Sequence, residues 1–575
     1  MTQTVPRTAV QQLQQRATAD VLIIGGGING IATFRDLALQ GIDVALVERG
    51  DYVSGASSAS SHMVHGGIRY LENGEFRLVE ESVTERNRLI KNAPHYVKPL
   101  RTTMPIFSTF SGILSAPWRM LVTHGKGKPK ERGACLIKIG LTVYDTFSRD
   151  GGSVPRHRFV GRKKSLATFP QMRSDVKYTA TYYDASMHDP ERIALDVLAD
   201  GLQAGGDRAR AVNYVEAVGY SDGAVILRDN ITATEFNFRA KVVLNVSGAR
   251  TDLTNDAMGQ KTSFMGGTKG SHIVLHNDEL YAATRGNEIF FEHSDGRIVL
   301  IYPFKNRVLV GTTDVNADPS KPVVCTDSEI DYFFDLVRHV FPSIKLEREQ
   351  IVYTFSGIRP LPKHDDTAPG FVSRDYRIER AELDSVPVLS LVGGKWTTFR
   401  ALAEHLTNDA LKELQAPRLV STLDLAIGGG KNYPLTAVAQ RNWIEQHRGN
   451  LGVDRATTLF HRYGTRAAAV LAHLQQGDDE LATAPGYSLQ ELQYLATTEQ
   501  VAHLDDLLLR RTSIAFLGGM SSETLSDTAA AIGTALDWDA AQQKTEISRL
   551  EKILHDNHRV VPGVAGVANV GNPEQ

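Results

Sequence analysis

The sequence predicts an α/β protein in which a doubly wound sheet carries an inserted antiparallel β-sheet and is followed by a separate α-helical domain. An apolar strand at residues 21–24 runs into a glycine cluster, and a second strand-to-glycine junction lies far along the chain at 388–394. After about residue 415 the chain becomes rich in Ala, Leu and Gln with helical spacing. A chain of 575 residues is too long for one core, so two or three domains are expected.

The first βαβ unit begins at the apolar run VLII of residues 21–24. A glycine cluster, a helix-like stretch and a second strand at 43–47 follow, which is the order of a doubly wound sheet. Between the two glycine junctions, strand-like runs such as 298–302 and 307–311 predict a mainly antiparallel insertion. The doubly wound domain is therefore expected to consist of segments that are separated in sequence.

Changes in composition predict the domain boundaries. Residues 1–19 are polar and predict a mobile tail or a short helix. We expect a discontinuous dinucleotide-binding domain over 20–415, formed by roughly 20–100, 180–260 and 350–415, with a substrate domain inserted at roughly 100–180 and 260–350. A linker that includes glycines 428–430 leads to a helical domain at 430–560, and residues 561–575 predict a disordered tail.

Charge and cysteine content argue against several classes of function. The net charge of −3 disfavours nucleic-acid binding by bulk electrostatics. Cys135 and Cys325 are the two cysteines of the chain, which excludes a disulfide framework and a CxxC zinc site and indicates a reducing, cytoplasmic environment. Residues 1–20 lack the apolar core of a secretory signal, and no apolar run reaches the roughly 18 residues of a membrane span. We predict neither a bound metal nor a nucleic-acid partner.

The motif GGGING at residues 25–30 fits the pattern G-x-G-x-x-G between a strand and a helix. Gly25 permits the tight turn, Gly27 lets the backbone approach a pyrophosphate, and Gly30 allows close packing of helix on strand. The helix start offers free N–H groups to phosphates. Glu48 ends the second strand about 20 residues later, where a carboxylate binds ribose hydroxyls. These features predict a bound dinucleotide without separating FAD from NAD.

Two further segments favour FAD. The serine-rich run at 57–67 supplies hydroxyl donors and a glycine pair, and GGK at 393–395 opens a helix whose N-terminus would stabilise an anionic reduced flavin. Two nucleotide-type loops that frame one long insertion fit FAD better than NAD. The candidate cofactor-binding residues are Gly25, Gly27, Asn29, Gly30, Glu48, Arg49, Ser57, Ser58, Ser61, His65, Gly66, Gly67, Ser247, Gly248, Gly394, Lys395 and Thr397.

Basic side chains occur at the same glycine-rich places. Arg69 stands beside Tyr70 after the glycine pair, His272 ends KGSH, Arg359 lies in SGIRP, and Lys395 ends GGK. Together they predict a pocket for a dianionic phosphate, in which guanidinium groups bind in forks and lysine acts as a point charge. The predicted substrate is therefore a small phosphorylated alcohol that reduces the flavin.

Seven blocks in this order resemble one family, the FAD-dependent, quinone-linked glycerol-3-phosphate dehydrogenases, along nearly the whole chain. Beside the glycine motif, the blocks that carry the resemblance are SSHMVHGGIRYLE at 60–72, EFRLV at 75–79, KGSH at 269–272, GTTD at 311–314, SGIRPL at 356–361, GGK at 393–395 and LLRRT at 508–512. The last block resembles the late helical segment of the family's C-terminal domain. Small departures, such as Ile31, His62 and Phe399, indicate a divergent branch.

The resemblance implies oxidation of sn-glycerol 3-phosphate to dihydroxyacetone phosphate, with hydride transfer from C2 to flavin N5 and electrons passed to membrane quinone. Arg69, Tyr70, Arg359 and Lys395 would then surround the substrate phosphate and hydroxyls. His272, whose unperturbed pKa near 6.5 suits a general base, is the candidate acceptor of the C2 hydroxyl proton. Alternatively, Arg359 or Lys395 stabilises a developing alkoxide while water takes the proton. The candidate catalytic residues are thus His272, Arg359 and Lys395.

Several alternatives stay open at this point. A reshaped pocket would accept a longer polyol phosphate such as erythritol phosphate, and oxygen could replace quinone as in a glycerol-phosphate oxidase. An amine or amino-acid oxidase on the same fold is disfavoured, because three converging cations exceed what its substrate needs. A flavin-bearing binding module without catalysis is a further reading. The sequence leaves the oligomeric state open, with a homodimer as one candidate.

The stretch 107–139 predicts contact with a membrane surface. It combines apolar residues, Trp118 among them, with a run of Lys and Arg between 119 and 138. An apolar, Trp-containing segment beside a basic cluster suits an interfacial anchor on anionic lipid. We therefore expect peripheral association with the inner face of the cell membrane.

Overall fold

The computed structural model describes residues 7–67, 76–108, 134–147, 154–293, 297–363 and 375–567. The strands are β1 (Thr18–Ile24), β2 (Val44–Val47), β3 (Met63–Val64), β4 (Val97–Ile106), β5 (Arg158–Gly161), β6 (Tyr178–Met187), β7 (Ala209–Val212), β8 (Val215–Ser221), β9 (Ala224–Asp229), β10 (Glu235–Asn245), β11 (Met265–Leu275), β12 (Glu288–Glu292), β13 (Ile298–Phe304), β14 (Arg307–Gly311), β15 (Val315–Asn316), β16 (Ile351–Pro362), β17 (Arg377–Leu383) and β18 (Val386–Val392).

Helices alternate with these strands and then dominate the C-terminal part. They are α1 (Thr8–Gln15), α2 (Ile28–Leu39), α3 (Phe76–Asn92), α4 (Ala134–Phe147), α5 (Arg162–Thr168), α6 (Pro190–Gly205), α7 (Thr251–Ala257), α8 (Asp278–Ala283), α9 (Asp327–Val340), α10 (Phe399–Glu413), α11 (Ala437–His447), α12 (Val453–Tyr463), α13 (Ala467–Leu474), α14 (Leu489–Thr498), α15 (Leu504–Asp506), α16 (Ser522–Ala535) and α17 (Ala540–His558). A π-helical turn, Leu507–Arg511, continues α15. Among the helices of the described ranges, none is both long and apolar enough to cross a membrane.

The first sheet contains the predicted βαβ unit. Its strands follow the order β17-β18-β10-β1-β2-β7, with β8 and β9 attached to β10. β18, β10, β1, β2 and β7 pair in parallel, and β17 pairs antiparallel at the edge. Parallel strands buried on both faces need continuous apolar runs, and Val21 and Ile23 of β1 are fully buried. Burial of each such side chain contributes roughly 1.5–3 kcal/mol.

Helices cover one face of the first sheet, and the N-terminal segment lies on the other. α2 packs against α6 and α10 on the first face. α1 places the buried Val10 and Leu13 in the apolar cluster of the opposite face. Arg7 donates to the Asn213 backbone carbonyl at 2.8 Å. Of the two alternatives predicted for residues 1–19, the short helix and not the mobile tail describes residues 8–15, because an apolar pair gives this helix a surface to bury.

The second sheet is the predicted insertion and is mainly antiparallel. It has the order β15-β11-β14-β13-β12-β4-β6-β3, with β16 paired to β11 and β5 to β6. The β12–β4 pair is parallel. Three strands, β3, β6 and β16, belong to this sheet although they lie within the ranges predicted for the dinucleotide-binding domain. The predicted boundaries at about 180 and 350 are therefore displaced, because strand pairing and not composition assigns a strand to a sheet.

The C-terminal helices, α11–α17, pack on the face of the second sheet that carries Val274, Tyr353 and Phe355. The predicted linker at 428–430 is instead a buried turn. A Cβ at Gly429 would lie 1.9 Å from the Tyr463 carbonyl oxygen, so the turn needs glycine to let two backbones touch. The doubly wound sheet, antiparallel insertion and helical domain confirm the predicted fold class.

Part of the predicted C-terminal tail is ordered against the protein. The Gly563 N–H donates to the Met520 carbonyl at 3.2 Å, and Val567 packs against an apolar cluster of the second sheet. The prediction of disorder is therefore wrong for 561–567. Residues 568–575 lie outside the described part of the chain.

Candidate active site

A cavity of about 750 Å³ opens between the first sheet, the second sheet and the helical domain. It lies at the carboxyl ends of β1 and β2, which is where open α/β sheets bind their ligands. The predicted cofactor residues that line it are Gly25, Gly27, Asn29, Glu48, Arg49, Ser57, Ser58, Ser247 and Gly248. Arg250 and Lys321 also line the cavity, and sequence reasoning did not select them because no motif marks them.

The first glycine turn has the shape that a dinucleotide requires. Gly25 has φ +120°, and a Cβ there would lie 2.5 Å from the Val246 carbonyl oxygen. A Cβ at Gly30 would lie 2.0 Å from the Gly25 carbonyl oxygen. The start of α2 therefore packs tightly on the turn and directs its N–H groups to the cavity. Ser57 Oγ accepts a hydrogen bond from the N–H of Ile28 at 3.1 Å.

Glu48 follows β2 directly and lies at the cavity wall. Its carboxylate accepts hydrogen bonds from the N–H groups of Gly26 at 2.7 Å and Gly50 at 2.9 Å. Burial raises the pKa of Glu48, against the lowering effect of these N–H groups. The carboxylate is thus held in one orientation by the backbone, as a ribose ligand should be.

The second glycine junction meets the first. Gly394 has φ +103°, and a Cβ there would lie 3.0 Å from Asn29 Nδ2. Trp396 Nε1 donates to the Ser57 carbonyl at 2.8 Å, and Thr397 Oγ1 lies 3.4 Å from the His65 carbonyl oxygen. The predicted helix start is a 3₁₀ turn, Trp396–Thr398, that runs into α10. Two motifs about 365 residues apart therefore surround one serine-rich loop, as the FAD prediction requires.

The glycine pair of that loop is held by a buried polar cluster that sequence reasoning missed. The N–H of Gly66 donates to Asp184 Oδ1 at 2.9 Å and to the Tyr144 hydroxyl at 3.1 Å. Arg86, fully buried, donates to the same Asp184 oxygen at 3.1 Å. Gly67 has φ +75°. An arginine within the amphipathic α3 carries no sequence signal of this role.

His272 lies on β11 and contacts the serine-rich loop. Its Nε2 is 2.9 Å from Ser61 Oγ, and its ring stacks on Phe355 with centroids 4.7 Å apart. Burial, then the charge of Arg359 and the neighbouring His62, lowers the pKa of His272 well below 6.5. The imidazole is therefore neutral at physiological pH, and the unperturbed pKa assumed from the sequence does not apply in the fold.

Arg359 shares one face of the β11–β16 pair with His272. Thr268 pairs with Arg359 and His272 pairs with Phe355, so the two side chains point to the same side. Arg359 packs over Gly270, where a Cβ would lie 2.1 Å from its Nη2. Its guanidinium donates to Asp314 Oδ1 at 3.0 Å. The structure therefore adds Asp314 to the site. In the sequence, Asp314 belongs to the GTTD block and has no predicted role.

The opposite face of the same strands carries a second polar cluster. Lys269 Nζ donates to Glu329 Oε2 at 2.8 Å, and Ser271 Oγ donates to Glu329 Oε1 at 2.9 Å. Burial alone would raise the pKa of Glu329, but the hydrogen bond from Lys269 lowers it. In KGSH the alternate residues thus lie on the two faces of the sheet, with His272 on the face of Phe355 and Lys269 in an ion pair on the other face.

Lys395 reaches α3, and the remaining predicted site residues lie outside the described ranges. Lys395 Nζ donates to Ser82 Oγ at 2.5 Å. Arg69 and Tyr70 fall within 68–75, which is outside those ranges. So does most of the predicted membrane segment, namely 109–133. Phe107, at its start, lies under the Arg173 guanidinium at 3.8 Å.

Two models of protein families match the chain, one in each of its two parts. The family model described as FAD dependent oxidoreductase matches residues 20–407. The model for the C-terminal domain of alpha-glycerophosphate oxidase matches residues 420–543. The first match spans more than half of the 575 residues. The chain is therefore an FAD-dependent oxidoreductase, and the prediction of FAD as its cofactor is confirmed.

Individual relatives define the family to which the chain belongs within the FAD-dependent oxidoreductases. The chain is 31% identical over 570 residues to a glycerol-3-phosphate dehydrogenase of Synechocystis, a match that covers 94% of this chain and 97% of the relative. It is 30% identical over 516 residues to a D-erythritol 1-phosphate dehydrogenase of Brucella abortus, covering 86% and 94%. The X-ray structure of the glycerol-3-phosphate dehydrogenase from Bacillus halodurans complexed with FAD shares the fold, with a TM-score of 0.72, 23% identity and coverage of 95% and 97%. The chain belongs to the family of FAD-dependent glycerol-3-phosphate dehydrogenases.

Proposed function

We propose that this enzyme oxidises sn-glycerol 3-phosphate to dihydroxyacetone phosphate. The observation that carries the proposal is the shared face of β11 and β16, where the side chains of the neutral His272 and the cationic Arg359 lie on the same side, with Arg359 packed over Gly270. A proton acceptor and a phosphate ligand on one rigid sheet fit a phosphorylated secondary alcohol. The Synechocystis relative bears the name of this activity.

FAD would be held by the residues that line the cavity. The turn at Gly25 and Gly27 leaves room for the pyrophosphate, Glu48 offers its carboxylate to the ribose, and Ser57 lies at the start of α2. When bound, FAD supplies the hydride acceptor, flavin N5. The remaining predicted cofactor residues near the serine-rich loop, from Ser61 to Thr397, are proposed to surround the flavin end.

His272 is proposed to take the proton of the C2 hydroxyl. Its neutral imidazole can accept a proton at Nε2, next to Ser61 Oγ at 2.9 Å. Burial and the nearby Arg359 keep the imidazole unprotonated, so it is available as an acceptor over the whole physiological range. In the alternative route, Arg359 or Lys395 stabilises the alkoxide and water takes the proton.

Arg359 is proposed to bind the substrate phosphate together with Lys395, Arg69 and Tyr70. Asp314 holds the Arg359 guanidinium from one side at 3.0 Å and so orients its fork. A lysine at a helix start adds positive charge that favours a dianion. The cations argue against an amine or amino-acid oxidase, whose substrate carries a positive charge of its own.

The proposal includes membrane quinone as the electron acceptor, and contact of the 107–139 segment with the inner face of the cell membrane. Its support is the mixture of apolar and basic residues in that segment. Co-sedimentation with anionic vesicles, compared with neutral vesicles, tests the contact. Reoxidation of the reduced enzyme by a soluble quinone, compared with oxygen, separates a dehydrogenase from an oxidase. A homodimer is proposed as the working assembly, to be tested by sedimentation equilibrium.

Anaerobic bleaching of the bound flavin tests the substrate. We expect glycerol 3-phosphate to bleach the flavin, and Arg359→Ala to raise the substrate concentration needed by at least about tenfold, since a charge-assisted contact is lost. Arg380→Ala, which removes an exposed arginine of β17, is the matched control. Bleaching of Arg359→Ala at the wild-type concentration would remove Arg359 from the site.

Erythritol 1-phosphate is the second candidate substrate, because a D-erythritol 1-phosphate dehydrogenase is 30% identical to the chain. The chemistry is the same, and a slightly longer pocket would be enough. If erythritol 1-phosphate bleaches the flavin while glycerol 3-phosphate leaves it oxidised, the second candidate replaces the first.

A further inference from the structure

Two arginines of the helical domain reach across to the loop that follows β2. Arg510 Nε donates to Asp51 Oδ2 at 2.5 Å, and Arg511 Nη2 donates to Asp51 Oδ1 at 2.9 Å. Asp51 is 2% exposed, Arg510 9% and Arg511 1%. We call Asp51, Arg510 and Arg511 the interdomain clasp. In the sequence these arginines belong to the LLRRT block at 508–512, which carries the family resemblance, and no function is predicted for them.

The clasp is charged at neutral pH. Burial alone would raise the pKa of Asp51, but the guanidinium groups of Arg511 and Arg510 lower it to about 2. Arg510 Nη2 also donates to Asp506 Oδ1 at 2.7 Å, and Asp506 accepts a second bond from the Tyr214 hydroxyl at 2.6 Å. Removing one charge would leave a buried partner uncompensated, which is strongly unfavourable.

Asp51 belongs to the same short loop as Glu48, the proposed ribose ligand. The N–H of Gly50 donates to Glu48 Oε1 at 2.9 Å, and the Gly50 carbonyl accepts from the N–H of Tyr214 at 2.8 Å. Asn213 Nδ2 donates to Asp51 Oδ1 at 3.0 Å. A displacement of Asp51 would therefore move the N–H that orients the Glu48 carboxylate.

Members of both domains reach the dinucleotide cavity at this point. Glu48, Asp51 and Tyr214 line it from the first-sheet side, and Asp505 and Arg510 line it from the helical domain. The helical domain is thus attached to the first-sheet side at the loop that carries Glu48, in addition to its contact with α6. Residues 460 apart in sequence share one buried ion pair here.

We infer that the interdomain clasp positions loop 48–51 so that the Glu48 carboxylate meets the FAD ribose, which makes the helical domain a determinant of FAD affinity. The inference rests on the proposed role of Glu48. Asp51, Arg510 and Arg511 are positioning residues and touch no reacting atom. Their effect is therefore on cofactor binding and not on the hydride-transfer step.

A double-mutant cycle on FAD binding tests this route. The dissociation constant of FAD is measured by flavin fluorescence for the apoprotein of wild type, Asp51→Asn, Glu48→Gln and the double variant. We expect each single variant to weaken binding at least about tenfold, and the double variant to be within about threefold of Glu48→Gln, because coupled residues are not additive. With saturating FAD, Asp51→Asn should regain the wild-type kcat and substrate KM.

Arg466→Gln is the matched control. Arg466 also joins the helical domain to the first-sheet side, through Asp196 at 3.1 Å and Asp200 at 2.8 Å, but at α6 and not at loop 48–51. Its FAD affinity should equal that of wild type. Asn213→Ala removes one donor to Asp51 without leaving a buried charge unpaired, and serves if Asp51→Asn does not fold. It should weaken FAD binding in the same direction.

The outcomes separate the inference from its premise. If Glu48→Gln weakens FAD binding while Asp51→Asn and Asn213→Ala bind FAD like wild type, the clasp has no positioning role. If the effects of Asp51→Asn and Glu48→Gln add, the clasp acts by another route and the inference fails. If Glu48→Gln itself binds FAD normally, the ribose role of Glu48 is wrong and the inference fails with its premise.

Discussion

The His272 imidazole is enclosed by Phe355 and Gly311, with Arg359 on the same sheet face. A Cβ at Gly311 would lie 2.2 Å from His272 Cδ2, so the imidazole can occupy this position only because residue 311 is glycine. Burial and positive charge favour the neutral form, which needs no deprotonation before it accepts a proton. His272 is thus ready to accept a proton, although its lowered pKa makes it a weaker base.

His272→Asn tests that role. If His272 takes the proton, the rate constant of flavin reduction at saturating substrate should fall about 10²–10⁴-fold. For wild type, lowering the pH from about 8 to 6 should leave this rate constant nearly unchanged, because the pKa of His272 lies well below 6.5. His276→Asn, on the exposed end of the same region, is the control. A wild-type rate in His272→Asn would favour water as the acceptor.

Gly394→Ala tests the junction of the two glycine motifs. The new methyl would lie 2.8 Å from Leu402 Cδ1 and 3.0 Å from Asn29 Nδ2, at φ +103°. We expect FAD affinity to fall by at least about tenfold. The free energy of unfolding should also fall by roughly 1 kcal/mol, because alanine is unfavourable at positive φ. Gly259→Ala has φ +89° and nothing within 4 Å, so it measures the backbone effect alone. Equal FAD affinity in both variants would contradict the prediction.

At the scale of elements, the second sheet depends on a parallel junction between β4 and β12. Glu288 begins β12, is fully buried and accepts a hydrogen bond from Thr102 Oγ1 at 2.9 Å. Burial raises the pKa of Glu288 to about 8. The folded sheet therefore holds this carboxyl protonated at neutral pH, where the unfolded chain has it ionised.

The sign of the resulting pH dependence follows from the raised pKa. The stabilising effect of the protonated Glu288 is complete below the unfolded value of about 4.3 and is lost as the pH rises toward about 8. Glu288→Gln resembles the protonated form and does not titrate. Its free energy of unfolding should therefore gain on that of wild type as the pH rises from about 5 to 8, by at most about 1.4 kcal/mol per pH unit. A constant difference over that range would show that Glu288 is ionised in the fold.

At the scale of the whole molecule, three parts of the chain form one cofactor cavity. The first sheet contributes the glycine turn, the second sheet contributes Ser356 and Gly357, and the helical domain contributes Asp505 and Arg510. A ligand that contacts all three parts binds the folded state and not the unfolded one. FAD should therefore stabilise the assembly as a unit.

Thermal unfolding with and without FAD checks this coupling. At an FAD concentration about 100 times the dissociation constant, the free energy of unfolding should rise by about 2.7 kcal/mol. The rise should appear in a single transition that a helix signal and a tryptophan signal report together. Separate transitions, with FAD moving one of them, would show that the helical domain unfolds independently of the cofactor cavity.

Sequence patterns predicted those features whose physical cause is local. The strand at 21–24, the glycine turn after it and Glu48 fall within one βαβ unit, so their spacing carries the structure. For the polar N-terminal segment the sequence left a mobile tail and a short helix as alternatives, and the fold decides for the helix because two apolar residues, Val10 and Leu13, dock it on the sheet. Glycines 428–430 predict a linker but form a buried turn, because a glycine run has the same sequence signature whether it provides flexibility or allows two backbones to approach closely.

The sequence by itself determined the fold class, FAD as the cofactor and the order of the blocks that place the chain in its family. Tertiary structure alone decided which side chains meet: Ser61 with His272, Arg359 with Asp314, and Asp51 with two arginines of the helical domain. The physical reason is distance along the chain. Periodicity and turn chemistry act over a few residues, whereas burial and ion pairing, which set the pKa of His272 and Asp51, depend on groups brought together by folding.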